Sequence, residues 1–407
     1  MSQLRLRRAV TPPRGRYETA LPLVDALVAV ERPDEPMICL RPAAITAATS
    51  GFVTGFPGDV LYAVKCNPEP VVLEAVWSGG VRHFDCASDG EVALVRRLFP
   101  EANIHFMHPV KARRAIRTAY ARQGVRSFVL DSADELDKIL QETGGATELD
   151  LIVRLAPPAT RQAVYQLSGK FGASRDEAAA LLRAARPHAV RLGVSFHVGS
   201  QCLDPLAWRR AIELAGDAIR LAGVPVEIID VGGGFPVSYP DMQPPPLGDY
   251  FAEIGSAFHA LGVPATTRLW AEPGRALVGG GASVVVQVQL RRGAALYIND
   301  GVYGSLSDAG APGFRFPCRL IRRSGAAPQP FELFGPTCDS VDHMRGPFLL
   351  PADIREGDWV EIGQLGAYGA CLRTAFNGFD QVRTVEVRDA PMLSTPGYEP
   401  APLAAAA

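Results

Sequence analysis

Asp59-Val60-Leu61-Tyr62-Ala63-Val64-Lys65-Cys66-Asn67 places a lysine directly after five consecutive apolar residues. Such a run, at residues 59–64, reads as a short strand buried on both faces. Seven more runs of the same kind follow, at 83–87, 104–107, 127–130, 149–155, 191–197, 226–231 and 268–271. Helical stretches separate them: 111–122 and 134–142 have helical composition, and 205–222 puts Ile212, Ala215, Ile219 and Ala222 on one face. Apolar strands alternating with helices imply a parallel sheet, and eight is the number that closes a (β/α)8 TIM-like barrel. A doubly wound open sheet is the alternative.

Beyond Glu272 the texture changes. Runs at 283–290, 295–298, 331–333, 359–362 and 383–387 read as strands, with dense Gly and Pro between them. The fold class is therefore α/β: a barrel at 35–275 followed by a mainly β domain at 276–395. Residues 1–34 are expected to join the β domain, and 396–407, rich in Ala and Pro, to form a flexible tail.

Composition narrows the function. A chain of 407 residues exceeds one core, which agrees with two domains. A net charge of −2 gives no general attraction to nucleic acid or anionic lipid, and no apolar run reaches the ~18 residues of a membrane span. Arg5, Arg7, Arg8, Arg14 and Arg16 are not followed by the apolar core of a secretory signal. Cys39, Cys66, Cys86, Cys202, Cys318, Cys338 and Cys371 are odd in number and never in a Cys-x-x-Cys pair. They point to a reducing, cytoplasmic setting rather than to disulfides or zinc, and no His-Glu-x-x-His spacing suggests another metal.

Polar residues fall at the strand ends, where barrels of this kind build their sites: Lys65, Asp85 with Ser88, His108, Asp131, Arg154, His197 with Ser200, Gly232-Gly233-Gly234, and Glu272. A desolvated Lys65 would have a depressed pKa and a nucleophilic amine able to form a Schiff base; alone, it could equally snorkel to solvent. The glycine triplet lets backbone N–H groups approach an anion. With Gly274, Arg275 and Ser200 it reads as a phosphate cradle after strands seven and eight. Glu272, at the end of a buried strand, needs a cation or a proton: a protonated pyridine nitrogen, or a salt bridge to Arg154 or Arg275. His197 could stack on a ring or simply pack. In the β domain, Gly335-Pro336-Thr337-Cys338-Asp339-Ser340 sets a thiol beside a carboxylate, and Tyr368 offers a phenol for a phosphate.

Taken in order, these motifs resemble the fold-type III pyridoxal-phosphate decarboxylases of basic amino acids, and within them the ornithine decarboxylase branch. The resemblance runs from about residue 35 to 380. It rests on Tyr62-Ala63-Val64-Lys65-Cys66-Asn67, Phe84-Asp85-Cys86-Ala87-Ser88, Gly193-Val194-Ser195-Phe196-His197-Val198-Gly199-Ser200, Gly232-Gly233-Gly234-Phe235-Pro236, Glu272-Pro273-Gly274-Arg275, Asn299-Asp300-Gly301-Val302-Tyr303-Gly304, Gly335-Pro336-Thr337-Cys338-Asp339 and Phe376-Asn377-Gly378-Phe379. It implies pyridoxal 5'-phosphate joined to Lys65, His197 stacked on its ring and Glu272 at its nitrogen. Phosphate contacts would come from Ser200, Gly234, Gly274, Arg275 and Tyr368, with Gly232 and Gly233 binding the cofactor in the same triplet and Asp85 and Arg154 beside it. It also implies that Cys338 reprotonates the α-carbon and that Asp339, with Asp308 and Phe376, holds the substrate. In the family Cys338 and Asp339 would reach across a head-to-tail homodimer.

Three departures stand out: His108-Pro109-Val110-Lys111 where the family often has Asn-Pro before the lysine, a shortened 305–315 segment, and the Arg-rich N-terminus. The expected reaction is decarboxylation of L-ornithine to putrescine, since diaminopimelate decarboxylases typically carry Cys-Glu in place of Cys338-Asp339. L-Lysine or another diamino acid is the nearest alternative; an alanine-racemase-like isomerase and an inactive regulatory homologue are others.

Overall fold

Strands Asp59–Ala63, His83–Cys86, Asn103–Phe106, Ser127–Leu130, Leu149–Arg154, Ala189–Ser195, Ile228–Asp230 and Arg268–Ala271 close a barrel, each parallel to the next. The eighth returns to the first through Trp270↔Asp59 and Ala271↔Val60, which excludes the open sheet. The structure, a computed structural model, describes residues 21–157, 163–165 and 169–397. The N-terminal arginines and the tail beyond residue 397 lie outside the described residues.

Period-two alternation sorts the barrel side chains. Leu61, Met107, Val129, Ile152, Ile228 and Trp270 form a cluster of their own inside the barrel. Tyr62, Phe84, Phe106, Phe128 and Val153 point outward into the main core beneath the helices. Burying each such side chain is worth roughly 1.5–3 kcal/mol. The helices start and stop where local chemistry dictates. Ser174 and Glu177 form a capping box on Arg175–Ala185, and Gly223, at φ 67°, ends Leu206–Ala222. Two residues noted at strand ends prove to hold backbone N–H groups of the scaffold. Ser88 caps the helix Asp89–Leu98, accepting from Glu91 N–H, and Asp131 accepts from Gly172 N–H at 2.9 Å.

The second domain is an eight-stranded sheet in which Cys318–Leu320, Trp359–Ile362, Ala282–Arg292, Ala295–Ile298, Pro328–Phe334 and His343–Pro351 are adjacent in that order. Met37–Leu40 pairs antiparallel with Ala282–Arg292 and parallel with Arg383–Glu386. The chain therefore enters the barrel after Leu40, not after residue 34. Met37–Leu40 is buried along its whole length. Met37 and Cys39 pack with Val24, Val28, Val285 and Val387, while Ile38 and Leu40 join the main core. That core runs without a break from the barrel helices into the sheet.

Candidate active site

Lys65 leaves the first barrel strand on a single 3-10 turn, Val64–Cys66. The β domain pins this turn. Tyr368 N–H donates to Cys66 O at 3.0 Å, and Asn67 Nδ2 donates to Gly366 O at 2.8 Å. Tyr368 makes its bond from a left-handed backbone, φ 55°, a conformation tyrosine rarely takes. Lys65 Nζ lies 3.2 Å from Asp85 Oδ2, at the end of the second strand. The expected depression of the lysine is not found. The Asp85 carboxylate, outweighing desolvation and helped by Tyr368 and Glu272, holds the ammonium above the usual lysine range. Asp85 is 1% exposed, whereas the lysine side chain is 44% exposed at the barrel mouth, so water screens part of that attraction.

Glu272 stands one residue past the eighth strand, 4% exposed, and its Oε1 has no hydrogen-bond donor. Burial pushes its carboxyl well up. Asp230 and Asp85 push the same way, against Lys65 and Arg154. Neither arginine weighed as its salt-bridge partner takes that role: Arg275 pairs with Asp308 instead, and Arg154, the last residue of the fifth strand, acts at longer range.

His197 follows the sixth strand. Gly199 N–H donates to its Nδ1 at 3.0 Å, so the proton of the neutral ring sits on Nε2. Burial, then the Arg154 and Lys65 charges, hold the imidazole well below its usual range. The glycine triplet threads between these ends. Gly232 and Gly234 have φ of 66° and 102°, and a Cβ there would come within 2.1 Å of Phe196 O and 2.3 Å of Gly199 O. On Gly233 a Cβ would meet Glu272 O at 2.6 Å and His197 Nε2 at 3.2 Å. Gly274 abuts the lysine turn, where a Cβ would meet Cys66 Cβ at 2.8 Å. Ser200 opens the short strand Ser200–Cys202, paired with Ala163–Tyr165. The mouth thus gathers Lys65, Asp85, Arg154, His197, the glycines, Glu272 and Tyr368.

Arg275 is 4% exposed. Its Nη1 donates to Tyr239 Oη at 2.8 Å, its Nη2 donates to Asp308 Oδ2 at 2.9 Å, and its Nε has no acceptor. Asp308, expected at the substrate's distal amine, is instead 5% exposed and committed to this ion pair.

Cys338, Asp339 and Phe376 form a separate group on the β domain. Tyr303 Oη donates to Asp339 Oδ2 at 2.5 Å, and its ring packs at a tilt of 37° against Phe376, centroids 4.8 Å apart. Cys338 N–H and Sγ both lie 3.2 Å from Asn377 Oδ1. The loop is built on Asp342, 2% exposed, which accepts from Val302 N–H, Thr337 N–H and Thr337 Oγ1. Cys338 is exposed, and among the described residues no hydrogen bond or ion pair links this group to Lys65.

Sequence reasoning assigned no role to four residues: Tyr239, Tyr303 and Asn377, the last two quoted only within motifs, and, most consequentially, Asp230. Asp230 ends the seventh strand fully buried, with Oδ2 lacking a donor. The signal was present, because a carboxylate closing an apolar strand was the argument used for Glu272.

Comparison with known proteins fits this geometry. Residues 43–279 match the pyridoxal binding domain of the pyridoxal-dependent decarboxylases, and residues 278–366 match their C-terminal sheet domain. The lysine/ornithine decarboxylase of Selenomonas ruminantium is 33% identical over 82% of this chain and 84% of its own length. The ornithine decarboxylase of Schizosaccharomyces pombe is 33% identical over 80% of this chain and 76% of its own. Among solved structures, the arginine decarboxylase of Paramecium bursaria Chlorella virus superposes with a TM-score of 0.80 at 30% identity, covering 89% of this chain and 99% of that one.

Proposed function

The chain belongs to the pyridoxal-dependent decarboxylases, and from that premise we propose that it removes the α-carboxylate of L-ornithine, giving putrescine and CO2. Pyridoxal phosphate is the family's cofactor, and this chain's own atoms fit it. A buried Glu272 Oε1 lacks a donor, the glycine surface leaves no room for a Cβ, and an amine opens to the mouth. Lys65 would hold the cofactor covalently, with Glu272 at its ring nitrogen and His197 on its ring face. Gly232, Gly233, Gly234, Gly274, Arg275, Ser200 and Tyr368 would surround its phosphate, with Asp85 and Arg154 beside it. When bound, pyridoxal phosphate supplies an electron sink for the pair left by departing CO2.

The protein supplies charge and protons. In the cofactor-free chain Asp85 holds the Lys65 amine as an ammonium, and its carboxylate is placed to take the proton that must leave before the amine can form its covalent link. Neutral His197 adds no cation to the ring face. Cys338 would return a proton to the α-carbon. Asp339 carries the substrate reading: the Tyr303 hydroxyl, then Val341 N–H, hold its carboxyl below the ordinary range. It is therefore ionised and suited to a distal ammonium. With Asp308 committed to Arg275, that amine has one carboxylate rather than two. L-Lysine, one methylene longer, is the second reading, supported by the Selenomonas ruminantium relative.

The separation of Cys338 and Asp339 from Lys65 within one chain supports a head-to-tail homodimer with shared sites. Val341, Phe376 and Phe379, which are 58%, 41% and 46% exposed, would be covered at that interface. Seven unpaired cysteines support a cytoplasmic setting. No helix among the described residues is long and apolar enough to cross a membrane.

The test is CO2 release from the cofactor-loaded protein given ornithine, lysine, arginine or diaminopimelate. Fastest release from ornithine is expected; release from none would refute the reading. Mixing inactive Lys65→Ala with inactive Cys338→Ala should restore about a quarter of the activity, because half the dimers then hold one complete site of two. No recovery would refute shared sites.

A further inference from the structure

Asp230 and Glu272 end adjacent parallel strands, in the register Asp230↔Trp270. The backbone locks them together: Glu272 N–H donates to Gly232 O at 2.8 Å, and Val231 N–H donates to Trp270 O at 2.9 Å. Asp230 Oδ1 accepts from Gly232 N–H at 2.9 Å. That leaves Asp230 Oδ2 and Glu272 Oε1, both buried and both without a donor, on carboxyls within hydrogen-bonding reach of each other. Two carboxylates cannot bond each other without a proton, and two bare charges in contact in the interior would repel strongly. One proton between them removes both difficulties.

The charged groups facing the pair are Asp85, from the end of the second strand, Lys65, on the turn after the first, and Arg154, at the end of the fifth. Neutral His197 lies across Gly233 from the Glu272 backbone. Neither cation reaches either carboxyl as an ion pair: Lys65 is held by Asp85. Burial brings Asp230 to about 6 and carries Glu272 well above the ordinary carboxyl range. Burial raises both carboxyls, so the pair favours holding one proton over carrying two bare charges.

We propose that Asp230 is a positioning residue acting through Glu272: its ionised group accepts the proton that Glu272 carries, fixes the orientation of Glu272, and strengthens the hold of Glu272, and of a ring nitrogen facing it, on that proton. The idea rests on the reading that Glu272 faces the cofactor's ring nitrogen. It adds a second carboxyl behind the first, so the proton belongs to a chain of three groups rather than to one ion pair.

The experiment compares wild type, Asp230→Asn and Glu272→Gln, each as the full chain. Asparagine keeps the Oδ1 acceptor for Gly232 N–H and is nearly isosteric, but removes the charge. In the cofactor-free protein, carbonyl-stretch infrared spectroscopy follows the buried carboxylic acid against pH. In the loaded protein, 15N NMR of ring-labelled pyridoxal phosphate follows nitrogen protonation. In Asp230→Asn both midpoints should fall by about one pH unit or more, the effect of deleting a like charge in contact. Midpoints within about 0.3 unit of wild type, as a purely structural anchor for Gly232 would give, overturn the proposal. Should the variant not fold, the wild-type infrared spectrum decides: a buried acid band persisting above pH 7 supports the shared proton, and its absence refutes it. Glu272→Gln separates the underlying reading. If it leaves the nitrogen signal unmoved while Asp230→Asn still shifts the infrared midpoint, the carboxyl pair stands and the ring-facing assignment of Glu272 falls.

Discussion

Replacing Asp85 by Asn should weaken the hold of Lys65 on its proton. The separation of 3.2 Å corresponds to about 5 kcal/mol of attraction at an effective dielectric of about 20. With 44% of the lysine side chain exposed, solvent screening cuts this to roughly 1–2 kcal/mol. Each pK unit is about 1.4 kcal/mol, so the lysine should titrate about one unit lower in the variant. The shift is downward because the first-ranking influence on Lys65 is the Asp85 charge, and what remains after its removal is chiefly the desolvation that lowers a lysine. The assay is 13C reductive methylation of the cofactor-free chain followed by NMR titration. The chain has four lysines (Lys65, Lys111, Lys138 and Lys170), so the resonance lost in Lys65→Ala assigns itself. A Lys65 midpoint unmoved, or moved upward, would show that the contact with Asp85 does not set the charge of this amine.

Gly234→Ala forces a Cβ onto a backbone at φ 102° and within 2.3 Å of Gly199 O. Urea denaturation should show a loss of at least about 2 kcal/mol, and pyridoxal phosphate should bind at least tenfold more weakly; near-wild-type values on both would dissolve the cradle. Glu361, 1% exposed, pairs with Arg41 and Arg319 at 2.7 Å each. Glu361→Ala leaves Arg41 buried and unpaired, so stability should drop by about 3–5 kcal/mol, read by the same denaturation, and a change under 1 kcal/mol would contradict this. Asp230 supplies a pH signature in the cofactor-free protein. Its folded value of about 6 exceeds the ordinary 3.8, so its contribution is complete below pH 3.8 and lost as pH rises through 6. Over that window wild type should gain less stability than Asp230→Asn, by at most about 3 kcal/mol; parallel curves would argue against the burial of that charge.

The barrel was legible because strands buried on both faces leave uninterrupted apolar runs. Ser127–Leu130 and Arg268–Ala271 match residue for residue, and the others differ by one or two residues at one or both ends. What escaped was pairing between distant segments. Met37–Leu40 finds its partners at Ala282 and Arg383 only in the folded chain, and His343–Pro351, with its Gly-Pro and polar residues, reads as loop. The site shows the same division. Sequence position alone put Lys65, His197 and Glu272 at one mouth. The charge on Lys65 depends on Asp85 from another strand, and the commitment of Asp308 depends on Arg275 from another domain. Both are facts of proximity that no local pattern carries.

The clamp of Tyr368 and Asn67 on the lysine turn bears on how this architecture can be recombined. Because Gly366 O and Tyr368 N–H from the β domain satisfy the Asn67 side-chain amide and the Cys66 carbonyl beside the reactive amine, an isolated barrel would leave one side-chain donor and one backbone acceptor unmet next to its most important residue. A chimera joined near residue 278 would succeed only where the donor sheet brings a loop of matching shape, making that loop a unit of inheritance shared by both halves of the molecule.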